Sequence, residues 1–253
     1  MDFHERPPLF IVEGTIQAMR ISAGVENLIK DMQSGAFWTG IAAGLAAEPG
    51  VFATSASLVL YDGEEVEHMA LLINGTLAIG TFHWLGDLVI GDEVTLVVSE
   101  IDAGPLFVHA ILRKRDELLW TPLSVYHTRR GWMFHGVKLG LAGLAGVAIM
   151  LGSIFLFVEG TMPEPRWLLI GAISTPALIS LVVFLSTVGV LDRGDYAEDI
   201  YRTLDVPRSD RFRIKPYSVF NLHFATTENP SKKTHIFHFA EALRAHKERF
   251  KLP

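Results

Sequence analysis

Ten histidines are the residues of this chain best suited to chemistry. His235 and His238 stand three apart and His246 follows, a spacing that can set imidazoles on one face of a helix. A zinc site needs three or four converging ligands with partners behind them to fix the rings. The chain has no cysteine, and no carboxylate is spaced to complete a set, so neither a metal nor a cofactor is expected. Asp62, Glu64, Glu65 and Glu67 could hold a cation, but such a run usually forms the solvated entry to a strand. The signatures of a nucleophile elbow, a phosphate-binding loop, a dinucleotide site and a zinc protease are all missing from the sequence. The chain reads as non-enzymatic.

Composition narrows the class. Of 253 residues, 49% are apolar and 20% charged, below the roughly 25% charge of an ordinary soluble domain. That much apolar surface excludes disorder, and the lack of cysteine excludes a disulfide scaffold. The net charge is −6. Residues 1–138 hold 9 basic and 17 acidic side chains, a net of −8, which is the wrong sign for phosphate binding and excludes nucleic acid as a partner. The region 192–253 has a net of +3.

Two uncharged runs carry the apolar excess: Leu139 to Val158 with 20 residues, and Trp167 to Leu191 with 25. About 20 helical residues cross a hydrocarbon core of about 30 Å. The expected fold is therefore an α+β membrane protein, in which a transmembrane helical hairpin (132–191, spans 139–158 and 167–191) joins two cytoplasmic regions, 1–131 and 192–253. Seven basic residues flank the outer ends of the runs, among them Arg129, Arg130 and Arg193, and only Arg166 lies between them. That bias predicts both termini in the cytoplasm and a multi-pass protein of a bacterial inner membrane. Trp132 and Trp167 would anchor the interfaces. The start, MDFHERPPLF, has no apolar stretch, so no signal peptide is expected.

Within the hairpin, Gly136, Gly140, Gly143 and Gly146 read either as a helix-packing face, for the second helix or another copy of the chain, or as the ordinary glycine content of membrane helices. Pro176 predicts a kink. With no ionisable group inside either run, a transporter or proton relay is disfavoured.

The amino-terminal part reads as a small β barrel, OB-like or SH3-like, with a β sandwich as the alternative. Asn74-Gly75 predicts a type I′ hairpin between strands 67–73 and 76–82. A second hairpin is expected between strands 93–101 and 106–112, and an earlier strand over 9–22 with a bulge at Gly14. Four or five strands in meander order follow. The apolar segment 34–47, with Phe37 and Trp38, is read either as a helix dipping into a bilayer or as a helix capping the barrel. In the carboxy-terminal region an amphipathic helix is predicted over 194–204, with Tyr196, Ile200, Tyr201 and Leu204 on one face, a strand over 217–226 and a helix over 237–250.

The segments PPLFIVEGTIQAM, GAFWTGIAAGLAA, INGTLAIGTFHWLGDLVIGDEVTLVV, HAILRKRDELLWTPL, HTRRG and AEDIYRTLDVP cover residues 7–207 in order, and none is catalytic. Together they resemble a family of bacterial two-span membrane proteins described as effectors of type VI secretion systems. The resemblance implies a role in interbacterial competition. Combined with the features above, it gives an interaction or immunity-type partner of a toxin or secretion component. The alternative is a secreted effector that damages membranes by oligomerising through its hairpin. The expected partners are a lipid bilayer, a protein and further copies of the chain.

Overall fold

The computed structural model describes residues 7–22, 66–100, 105–122, 125–157, 182–183, 191–223 and 233–252. Seven strands form one sheet: β1 (Phe10–Ser22), β2 (Glu67–Ile73), β3 (Thr76–Phe82), β4 (Glu93–Glu100), β5 (Leu106–Arg113), β6 (Leu118–Trp120) and β7 (Ile236–His238). Among the described residues the helices used below are α1 (Arg129–Phe157), α2 (191–203), α3 (Val219–His223) and α4 (Phe239–Phe250).

β1 is long enough to serve two partners. Its first half pairs with β4 from Phe10↔Val98 to Thr15↔Glu93, and its second half pairs with β2 up to Ser22↔His68, after a register shift between Ile16 and Ala18. Such a shift bends a strand and lets a sheet curl. Asn74 and Gly75 take φ of 51° and 75°, the left-handed pair that a type I′ turn requires. β3 then pairs parallel with β5, from Ala78↔Leu106 to Gly80↔Val108, and β5 pairs with β4. The circuit β1-β2-β3-β5-β4 closes a five-stranded Greek-key barrel of the OB type. The meander order expected from the sequence is thereby corrected: β1 lies between β2 and β4.

Period-two alternation fills the barrel. Met69, Leu71 and Ile73 of β2, Leu96 and Val98 of β4, and Val108 of β5 are almost fully buried, with Leu85 and Leu88 plugging one end. Each such side chain contributes roughly 1.5–3 kcal/mol. A second core lies on the outside of the barrel wall. There Val97, Ala110, Leu119 and Phe237 pack beneath Ala197, Ile200 and Tyr201 of α2, Phe212, Ile214 and Ala242 of α4. β7 pairs with β6 from Leu118↔His238 to Trp120↔Ile236, so the carboxy-terminal region extends the amino-terminal sheet. Part of the span read as a strand over 217–226 is instead a 3-10 turn, Lys215–Tyr217, followed by α3. Pro216 in that turn cannot donate to a strand ladder.

Among the described residues no helix is long and apolar enough to cross a membrane. This overturns the expected transmembrane hairpin with spans 139–158 and 167–191. It also overturns the multi-pass placement in a bacterial inner membrane and the orientation with both termini cytoplasmic. The reason lies in how much of α1 is available to a span: its first three turns hold Arg129, Arg130, His135 and Lys138, and the uncharged stretch after Lys138 is described for its side chains only as far as Ile149, about 11 residues where a span needs about 20. Most of the second run, with Trp167 and Pro176, lies outside the described residues, as do Phe37 and Trp38.

Candidate functional site

The clearest candidate is the root of α1, and the sequence builds it from three directions. Thr128 precedes the helix, and its Oγ1 accepts from the Gly131 amide at 3.3 Å, as a helix N-cap does. Glu198 of α2 accepts from the Arg129 amide at 2.8 Å, which sets a carboxylate at the positive end of the helix dipole. Arg129 itself reaches Asp195 at 3.1 Å. Burial, with Asp195 and Asp210 nearby, holds the Glu198 carboxyl above its usual range in spite of that amide. Gly194 makes the approach possible: a Cβ there would collide with the backbone of Arg129 and stand 2.9 Å from the Thr128 carbonyl carbon.

From this anchored start the helix presents apolar side chains to the outside. Met133, Phe134, Val137, Leu139, Leu141 and Ile149 are each more than half exposed, whereas Met69, Leu71 and Ile73 in the barrel are at 0%. Cations collar the first turns. Lys138 Nζ lies 4.7 Å from the centre of the Phe134 ring, and the Arg213 guanidinium 5.9 Å from it. Lys215 Nζ lies 4.7 Å from the Tyr126 ring. Arg213 is held in place by a backbone bridge to His127. Arg130, Lys138, Arg213 and Lys215 are exposed, and none forms an ion pair among the described residues.

Beneath the collar sits a cluster of rings. His127 packs on Trp132 at 5.0 Å and stacks with His135 at 5.8 Å, while His235 meets His83 edge-on at 5.2 Å. Burial first, and then Lys215, His135 and Arg213, push His127 down to about 4. Burial, His83 and Lys215 do the same to His235. Both rings are therefore neutral at pH 7. The Nδ1 of His235 and the Nε1 of Trp132 are buried with no hydrogen-bond partner. Among the described residues no group of three could hold a metal ion. His246, about two turns into α4, bonds the Pro207 carbonyl at 2.7 Å and so ties α4 to the chain after α2, apart from His235.

Two other polar clusters hold the fold together. Arg113 is buried, sits 4.8 Å over Trp120 and bonds Asp116 at 2.6 Å, the Asp87 carbonyl and Asp92 at 3.4 Å. Burial works against both charges, yet the pairing keeps Arg113 protonated and holds Asp116 below its usual range. Ser99 Oγ lies 2.8 Å from His109 Nε2, and the Tyr196 hydroxyl bonds the other ring nitrogen. A serine beside a histidine suits nucleophilic catalysis only where substrate can reach the oxygen. Ser99 is 3% exposed. A bulge opposite Val97 and Val98 turns His109 out of the β5 ladder toward α2, so this chain of bonds pins α2 to the barrel wall.

Of the residues singled out in the sequence, Trp132 and Arg193 are half-buried and Arg130 is exposed. Gly136 is buried, Gly143 is exposed, Gly140 faces the Val183 methyls at 3.7 Å, and Gly146 opens onto empty space. Sequence reading missed Tyr126, Arg213 and Lys215, and weighed His235 only as a metal ligand. The signal was there in Arg211-Phe212-Arg213-Ile214-Lys215: strict alternation sends Phe212 and Ile214 into the second core and leaves three bases outside. Comparison of the chain with protein-family models, with curated proteins and with solved structures finds no match.

Proposed function

We propose that this chain is a non-enzymatic interaction protein whose working surface is α1, carried on a rigid barrel body. One observation carries the reading: six large apolar side chains of α1 stand more than half exposed. A contiguous apolar surface of this kind marks a place where another molecule sits. From Leu139 to Ile149 the sequence of α1 holds no charged residue to face water. The polar clusters favour the same reading, since Arg113 and His109 are spent on holding the fold. The resemblance to proteins of interbacterial competition supports a toxin or a secretion component as the partner, with this chain protecting against it or docking it.

The test is co-expression with toxins of interbacterial competition, taken one at a time. Protection and a stable complex are expected. A Leu141→Asp, Ile149→Asp double variant should lose both while its barrel keeps its melting temperature. Equal protection by that variant would show that α1 is not the working surface. Absence of both binding and protection with the native chain would end the immunity reading.

A further inference from the structure

We propose that the surface received by the root of α1 is an acidic amphipathic helix of a protein partner. The proposal rests on α1 being the working surface and adds the chemistry of what it binds. Arg130, Phe134, Lys138 and Leu141 follow one another at four, four and three residues, and so line one ridge of the helix with Val137 beside them. All five are exposed. The ridge is about 16 Å long at 1.5 Å per residue, or three turns of a helix lying along it. Its cations Arg130 and Lys138 stand on either side of Phe134, with Leu141 beyond them, and Arg213 adds a further positive charge across the Phe134 ring.

The cations decide the sign of the partner. On the barrel, Arg113, Lys114, Arg115 and Lys233 all pair with carboxylates. Around Phe134 and Tyr126, Arg130, Lys138, Arg213 and Lys215 have no such partner among the described residues. Lys215 and Arg213, after burial, help to keep His127 uncharged, so the positive potential is felt one layer down. A partner that matched the strip would carry carboxylates two turns apart with a leucine-like side chain between them. A narrow ridge with a cation on either side of one aromatic ring fits a rod of that pattern better than an extended anionic sheet of lipid headgroups.

The experiment uses the full chain and a labelled helical peptide with leucine on one face and glutamate flanking it. The same peptide with glutamine in place of glutamate and vesicles rich in phosphatidylglycerol serve as comparisons. Fluorescence anisotropy should show the glutamate peptide binding at least about tenfold more tightly than the glutamine peptide. The advantage should shrink with added salt. It should vanish in an Arg213→Gln, Lys138→Gln double variant and survive in Arg202→Gln, whose guanidinium already pairs with Asp199. Equal affinity for the two peptides would overturn the proposal, as would vesicle binding that the glutamate peptide does not compete away. If the peptides failed while toxin binding still depended on Leu141 and Ile149, the acidic-helix assignment would fall and α1 would stand as the working surface.

Discussion

The barrel and α1 are built from the same kinds of residue and meet opposite fates. Leu71, Ile73 and Val98 are sealed inside the strand circuit at 0% exposure, while Val137, Leu139 and Leu141 stand 56–63% exposed on α1. Apolar character says that a side chain avoids water, and says nothing of what covers it. In the barrel the cover is the chain itself, because five strands return to one another. On α1, anchored at its root by Thr128, Glu198 and Asp195, it must come from elsewhere.

Core truncation draws the contrast most strongly. Trp120→Ala removes a side chain that is 1% exposed and takes away the support of Arg113. A loss of about 3–5 kcal/mol is expected, against no more than about 0.5 kcal/mol for Leu141→Ala. Urea denaturation of the two variants decides it, and equal losses would mean that α1 is packed against the body.

Acid probes the boundary between the two regions. His127 and His235 are held down to about 4, against about 6.5 in an unfolded chain. Protonation therefore favours the unfolded state. Their contribution is whole above pH 6.5 and drains away as the pH falls toward 4. The loss by pH 4 is on the order of 4 kcal/mol, about 3 of it from His235 and the rest from His127, whose share is reduced by the solvent that reaches it. Melting followed from pH 7 to pH 4 should show it, and a His127→Gln, His235→Gln variant should be flatter over that window.

Gly194→Ala sets a methyl against the Arg129 backbone and should cost about 1–3 kcal/mol. Hydrogen exchange should speed up first in α2 and in the opening turn of α1, with β2 and β3 unchanged. The smallest effect is Glu198→Gln. It keeps a hydrogen-bond acceptor for the Arg129 amide but removes the charge at the helix start, and should cost about 0.3–1 kcal/mol, seen as a small shift in melting temperature that salt reduces.

Local instructions were legible in the sequence, and long-range agreements were not. Asn74-Gly75 announces its hairpin because the two residues set the backbone angles by themselves. The second hairpin shows in its alternation from Glu93 onward, and α2 shows in the spacing of Tyr196, Ile200 and Tyr201. The β3–β5 closure depends on Gly80 accepting Val108 alongside, since a Cβ there would stand 3.2 Å from the Val108 Cβ, and nothing near Gly80 announces it. The uncharged run after Lys138 was read by composition as a membrane span, because composition does not distinguish lipid from other covers. The collar was hidden for a simpler reason: Phe134 and Arg213 lie far apart in the chain and meet only when β7 and the turns before it fold back.

The pairing of β6 with β7 has a consequence for the order of events during synthesis. Leu119 finds Phe237 across about 118 residues of intervening chain, and closing so long a loop costs about 4 kcal/mol of entropy. The five barrel strands leave the ribosome well before β7 does. Until then the Leu118–Trp120 edge offers its free amides and carbonyls to any passing strand. Newborn chains are therefore most prone to stick to one another in that interval, and dilution or a chaperone should raise the refolding yield more than any change made inside the barrel.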